Sequence, residues 1–190
     1  MRTSIVLPMF ALVAAAGVVD RVAVVVANTV ITETEVLDEL RLTEFLNSEP
    51  LDLGSQQRRA AAERLVDQEL IRQEMKIGRY PEPSAAEANT ILANFRQQHF
   101  HTEAEFRAAL VKYGLTEDQL KQHLLWQTTA MRFTEARFRP LNAMPEQSAD
   151  RQKSDASDSA GSAEVDKQMA AWLDEARRAN HVTFKSGAFQ

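Results

Sequence analysis

The stretch Val18–Val36, VVDRVAVVVANTVITETEV, constrains the fold more than any other. Val22 to Ala27 is a near-continuous run of apolar, mostly β-branched residues, too short for a helix and too apolar for a loop. Asn28-Thr29 breaks it, and Val30-Ile31 resumes the β-branched character. Threonine tolerates a positive φ poorly, which argues against a tight two-residue turn at Asn28-Thr29. Thr32 then stands three residues before Glu35, the spacing of a capping box, in which a hydroxyl and a carboxylate satisfy free N–H groups at a helix start. A strand pair this small is not stable alone, so the remaining chain must supply a third strand or a helical layer to cover it.

The rest of the chain reads as helices. Val36, Leu37, Leu40, Phe45 and Leu46 have helical spacing, and Pro50 ends that helix by pushing its predecessor out of the helical region. After a loop at Leu51–Gly54, a long helix is predicted from about Ser55 to Ile77, with Leu65, Val66, Leu70, Ile71 and Met75 on its apolar face and Gly78 as its C-terminal cap. Tyr80-Pro81-Glu82-Pro83 is a rigid connector. Three helices follow, each opened by the same pattern: Ser84 with Glu87, Thr102 with Glu105, and Thr116 with Gln119. Gly114 closes the second, and Pro140 stops the third after Phe138. Leu141–Ser162 is rich in Ser, Asp, Gln and Ala, with almost no large apolar residue, and is predicted to be a flexible linker. Val165, Met169, Trp172, Leu173 and Ala176 then share one face of a last helix, and Val182-Thr183-Phe184 is a candidate closing strand. Such a strand is what the N-terminal pair lacks, so it is predicted to pair with Val22–Val26 or with Val30–Ile31.

Composition excludes several kinds of chemistry. With a net charge of −5 over 190 residues and no basic face evident, nucleic acid is not the expected partner. The absence of cysteine removes disulfides, thiol nucleophiles and cysteine-ligated metals. Neither GxGxxG nor GxxxxGK[ST] occurs, and no cofactor is expected. Arg2, the apolar Ile5–Ala16 and the small residues Ala14-Ala15-Ala16 have the pattern of a cleaved export signal over residues 1–16, against the alternative of a buried strand or helix. A membrane span needs about 20 apolar residues, and Asp20-Arg21 interrupts the run. The mature chain is therefore expected to be exported and not membrane-embedded.

VVDRVAVVVANTVITETEV resembles the mature start of SurA-type periplasmic chaperones. RLVDQELIRQEMKIG is similar to the family's second helix, and FRAALVKYGLTEDQLKQHLLWQ has its aromatic-Gly-Leu-Thr junction between two helices. WLDEARRANHVTF resembles the C-terminal helix and closing strand. The resemblance covers the mature chain apart from the linker, with two departures. Asn28-Thr29 stands where the family's turn usually has Gly. Full-length relatives insert parvulin-type prolyl isomerase domains, of about 90 residues each, where this chain has only Leu141–Ser162. The resemblance therefore implies a mainly α, multi-helix chaperone domain over 18–140. Residues 163–190 pack back on it to complete a small sheet, and there is no isomerase.

Few residues invite catalysis. His99-Phe100-His101 is the one local histidine pair; it is read as a loop, the alternative being a two-ligand metal corner with no third ligand apparent. His123 and His181 are isolated and read as surface or packing residues. The carboxylate pairs Glu33/Glu35 and Glu103/Glu105 fall in first helical turns, where capping is the expected role and acid–base work the alternative. Phe95, Phe106 and Tyr113 are predicted core residues. Phe100, Trp126, Phe133 and Phe138 fit the helical stripes less well and are the candidate peptide-binding residues of an exposed apolar groove. The expected function is an ATP-independent periplasmic holdase for unfolded exported polypeptides, outer-membrane protein precursors above all. The alternatives are a prolyl-isomerase-related protein and a structural subunit of an envelope assembly complex, with a swapped homodimer as a further possibility for Val165–Phe184.

Overall fold

The computed structural model describes residues 20–78, 80, 83–138 and 151–190. The expected export signal over 1–16, the first part of the expected linker and Pro140 lie outside the described residues.

The sequence prediction of a mainly helical domain with a small sheet built from both ends of the chain is what the structure shows. Strands β1 (Val22–Val26) and β2 (Thr29–Thr32) form an antiparallel hairpin. Helices α1 (Glu33–Asn47), α2 (Ser55–Gly78), α3 (Ala85–His99), α4 (Glu103–Tyr113), α5 (Glu117–Phe138) and α6 (Arg151–Ala179) follow. A two-residue strand β3 (Thr183–Phe184) and a 3-10 turn over Ser186–Phe189 come last. The sheet order is β2-β1-β3, so the closing strand chooses β1 over β2: Val24 pairs with Phe184 and Val25 with Thr183.

The β1 register shifts between Val22 and Val24. Such a bulge lets the neighbours Ala23 and Val24 both turn into the core, where each is fully buried. The hairpin is tighter than the sequence suggests. Val26 pairs with Thr29, leaving Ala27-Asn28 as a two-residue loop. The positive φ falls on Ala27 (51°), so Thr29 escapes the strain expected of it. The Ala27 N–H donates to the Asn180 carbonyl at 2.9 Å, which ties the hairpin tip to the chain just past α6.

The capping pattern operates as read. Thr32 and Thr102 each accept a bond from the N3 amide while Glu35 and Glu105 reach back to the cap, and Thr116 with Gln119 does the same. Ser84 Oγ accepts from the Glu87 N–H. Gly114 closes α4 in the left-handed region (φ 67°). Gly78 does not act as a left-handed cap; it is the last residue of α2. A Cβ there would collide with the Tyr80 ring, so the glycine gives Tyr80 room to fold over the helix end.

Three apolar clusters organise the packing. The first joins the sheet to α1 and α2, with Trp172, Leu173, Ala176, Val182 and Phe184 packed against it. The second lies among α1, α3, α4 and α5 around Phe45, Phe106 and Leu120. The third gathers Ile71, Met75 and Phe133 from α2 and α5 under Trp172 and Phe138. A bidentate pair, Arg177 to Asp67 at 2.8 and 2.6 Å, fastens α6 to α2.

One expectation is revised. The predicted linker over 141–162 gives way at residue 151, where α6 begins. Between Arg151 and Ser162 the sequence has no Pro and a single Gly. Propagating a helix outward from a docked segment needs no new nucleus, so a polar, Ala-containing stretch of this kind is able to extend α6.

Candidate functional site

An open groove runs along the middle turns of α5 where they meet α1 and α2. Gln119, Gln122, His123 and Trp126 lie at i, i+3, i+4 and i+7, so they form one continuous line along α5 beside the core stripe of Leu120 and Leu124. The opposite wall presents Asp38, Glu39 and Leu42 from α1 and Leu65, Gln68 and Arg72 from α2. Three hollows of about 390, 310 and 320 Å³ open from this line, and all three share Trp126. The second continues past Arg72 to Met75, Lys76, Pro83 and Leu125.

Two polar arrangements shape the groove. The first is centred on Glu39, only 5% exposed, at the meeting of three helices. Its carboxylate lies 3.3 Å from Arg64 Nε of α2 and 3.5 Å from His123 Nδ1 of α5. Burial pushes the Glu39 carboxyl up, but the hydrogen bond and charge of His123, a bond from Gln68 and the Arg64 charge outweigh it and hold the group below its ordinary range. In the second, the Arg72 guanidinium stacks over the Trp126 ring at 4.3 Å and donates to Gln68 Oε1 at 3.1 Å. Burial lowers the Arg72 pKa, with Glu69, Glu39 and Glu35 pulling the other way. Gln119 is committed to Asp38 at 2.9 Å, whereas Gln122 bonds to no described residue and faces the groove free.

Half-exposed Trp126 thus has one ring face under Arg72 and further ring surface open to the hollows. The walls add carboxamides that both donate and accept. Such a surface suits reversible, non-covalent capture of an apolar side chain together with its polar backbone.

The four candidate peptide-binding residues do not come together. Trp126 alone lines the groove. Phe100 caps α3 and stacks among Phe45, Phe95 and Phe106, with centroids 5.3 to 6.2 Å away. Phe133 is only 1% exposed, so it is a core residue and lines no surface groove; α6 closes over it, with Trp172 at 5.6 Å. Phe138 is half-buried in the same cluster, 6.3 Å from Phe133. Phe95, Phe106 and Tyr113 pack in the second cluster as expected.

Residues read as inert take other places. His99 packs its ring against Phe95 at 4.5 Å, and His101 sits exposed in the turn before α4. Among the described residues no group of three His, Cys, Asp or Glu side chains is placed to hold a metal. Arg72, Gln68 and Glu39 were not singled out by the sequence, and His123 was read as a lone surface or packing residue. One signal for Glu39 was present: a carboxylate three residues after Val36 and beside Leu40 falls on the buried stripe of α1. No family model matches this chain, and no curated protein matches it.

Proposed function

We propose that this domain is an ATP-independent holdase of the SurA type, working in the periplasm on unfolded exported polypeptides, with outer-membrane β-barrel precursors as its main clients. The observation that carries this reading is the Trp126 groove: an aromatic surface bordered by hydrogen-bonding side chains and open along its length. An unfolded client exposes apolar segments and unpaired strand edges that drive aggregation. A groove that binds the unfolded state lowers its free concentration by mass action, with no energy input. The resemblance of the hairpin, the α2 and α4–α5 segments and the C-terminal segment to SurA-type chaperones supports the client class and the compartment.

Weak contacts suit such a cycle. Trp126 offers apolar area and stacking, while Gln122 and the Gln68–Arg72 pair offer polar partners that any main chain satisfies. Neither demands a particular client sequence.

The test is suppression of aggregation of a urea-unfolded outer-membrane barrel protein diluted into buffer. The wild-type chain at stoichiometric concentration should reduce light scattering, and Trp126→Ala should lose most of that effect while retaining its helical circular dichroism. Wild-type protein that leaves the scattering unchanged would remove the holdase reading. Full suppression by Trp126→Ala would move the binding surface away from this groove.

A further inference from the structure

A separate hollow, of about 380 Å³, lies between α2, the last turn of α6 and β3. It takes Arg59, Glu63 and Val66 from α2, against Leu65, Gln68 and Arg72 in the first hollow of the Trp126 groove. Three arginines surround it, on a chain whose net charge is −5. Arg177 is committed to Asp67. Arg59 pairs with Glu63 at 2.9 Å and stacks on the Phe184 ring at 3.4 Å. Arg178 is exposed and pairs with none of the described residues.

The strand beside this hollow is the end of the sheet. The order β2-β1-β3 leaves β3 with a neighbour on one side only. Lys185 N–H donates to Ala23 O at 2.8 Å, which makes that opposed pair a hydrogen-bonded one. Antiparallel ladders alternate, so the Thr183–Val25 pair is also bonded and the Phe184–Val24 pair is not. The N–H and C=O of Phe184 therefore turn to the side away from β1. Val182 and Phe184 give the opening an apolar wall and Arg178 an unpaired cation, and Phe184 carries a free backbone donor and acceptor on the outer side of the sheet edge.

We propose that this hollow docks an extended, acidic segment of a partner protein, which adds to β3 as a fourth strand with a carboxylate on Arg178. Strand addition supplies backbone bonds, and the alternate side chains of the added strand supply specificity. The Arg178 charge selects an acidic segment over a neutral one and speeds its arrival. The proposal does not rest on the holdase reading.

Fluorescence anisotropy with the full chain tests it, using a short labelled peptide of alternating valine and glutamate and its glutamine counterpart. The glutamate peptide should bind about two- to fivefold more tightly than the glutamine peptide, by the strength of an exposed ion pair, and the advantage should shrink as salt rises. Arg178→Glu, at an exposed position that leaves the fold intact by circular dichroism, should abolish that advantage. The bound peptide should also slow hydrogen exchange at the Phe184 amide. Equal affinity for the two peptides, or no binding of the glutamate peptide, would overturn the proposal. So would Arg178-dependent binding to phosphatidylglycerol-containing vesicles with no peptide binding, which would make the surface a membrane contact.

Discussion

Trp126 on α5 and Trp172 on α6 have similar immediate surroundings but different coverage. Each has an arginine over its ring: Arg72 at 4.3 Å from Trp126 and Arg137 at 5.6 Å from Trp172. Both touch the third apolar cluster. Trp172, however, lies among Phe133, at 5.6 Å, and Phe138, at 6.3 Å, and holds α6 onto α5. It also borders one open hollow, of about 350 Å³, beside α2, whereas Trp126 looks into three. The difference comes from a third helix. Towards its C-terminal end α5 is covered by α6, whereas its middle turns border the open groove beside α1 and α2. Residue type and cation–π partner are thus poor guides to whether an aromatic side chain builds the core or meets a ligand; the coverage of the surrounding surface decides.

The strongest test of this contrast is Phe133→Ala. Emptying a fully packed aromatic site costs about 3–5 kcal/mol, and urea denaturation should show a loss of that size. A loss under about 1 kcal/mol, typical of a surface substitution, would mean that α6 does not seal this end of α5. Trp126→Ala sharpens the same point from the other side. It should change the urea midpoint little while raising the protein needed for half-suppression of aggregation roughly thirtyfold, the scale of an interface hot spot. Equal stability losses from the two substitutions would erase the distinction between the regions.

A subtler test uses pH, because Glu39 and Asp67, which line the third groove hollow together, are shifted in opposite directions, Asp67 being the one bound to α6. Glu39 in the groove is held below its ordinary range, so the folded state binds fewer protons than the unfolded one. Its contribution is present above the ordinary glutamate pKa of about 4.3 and is lost as the pH falls through the lower folded value. Asp67 beneath α6 is raised: burial is the largest cause, Arg177 opposes it, and Glu63 and Asp174 add to it. Its contribution therefore falls as the pH rises from about 3.9 through the higher folded value. Urea midpoints followed from pH 3 to 7 should show a flatter acid slope for Glu39→Gln and a steeper one for Asp67→Asn. Slopes changed in the same direction would contradict the assignment. Smallest of all should be Arg72→Met, which removes the cation over Trp126 at a cost of about 0.5–1 kcal/mol; its emission shift is readable in a Trp172→Phe background.

Much of the fold is legible in the sequence because its signals are local. The capping residues Thr32, Ser84, Thr102 and Thr116 satisfy donors within their own first turn, so their spacing alone announces the helix starts. The β-branched run at Val22–Val26 announces a strand for the same reason. Gly78 misled because a glycine at a helix end signals a left-handed cap, and only the position of the Tyr80 ring reveals its other use. The start of α6 at Arg151 was hidden because a polar helix extended from a docked segment carries no apolar stripe to mark it.

The site was far less legible. Trp126 stood out because Leu124 and Leu125 already occupied the neighbouring face. Phe133 stood out for a similar reason and proved to be core, since the stripe that completes it comes from α6, beyond the expected linker. Arg72, Gln68 and Glu39 have no shared motif; they meet only where α1, α2 and α5 converge.

By itself the amino-acid order determined where helices and strands begin, that both ends of the chain carry strand character, and that one tryptophan lies off the core stripe. Each of these follows from interactions within a turn or along a single strand. The choice of β1 as partner for the last strand, the burial of Phe133 and the opening beside Trp126 were decided only by the tertiary structure. These depend on which helix reaches which surface, and that is a balance of packing among segments more than a hundred residues apart, such as Asp67 and Arg177.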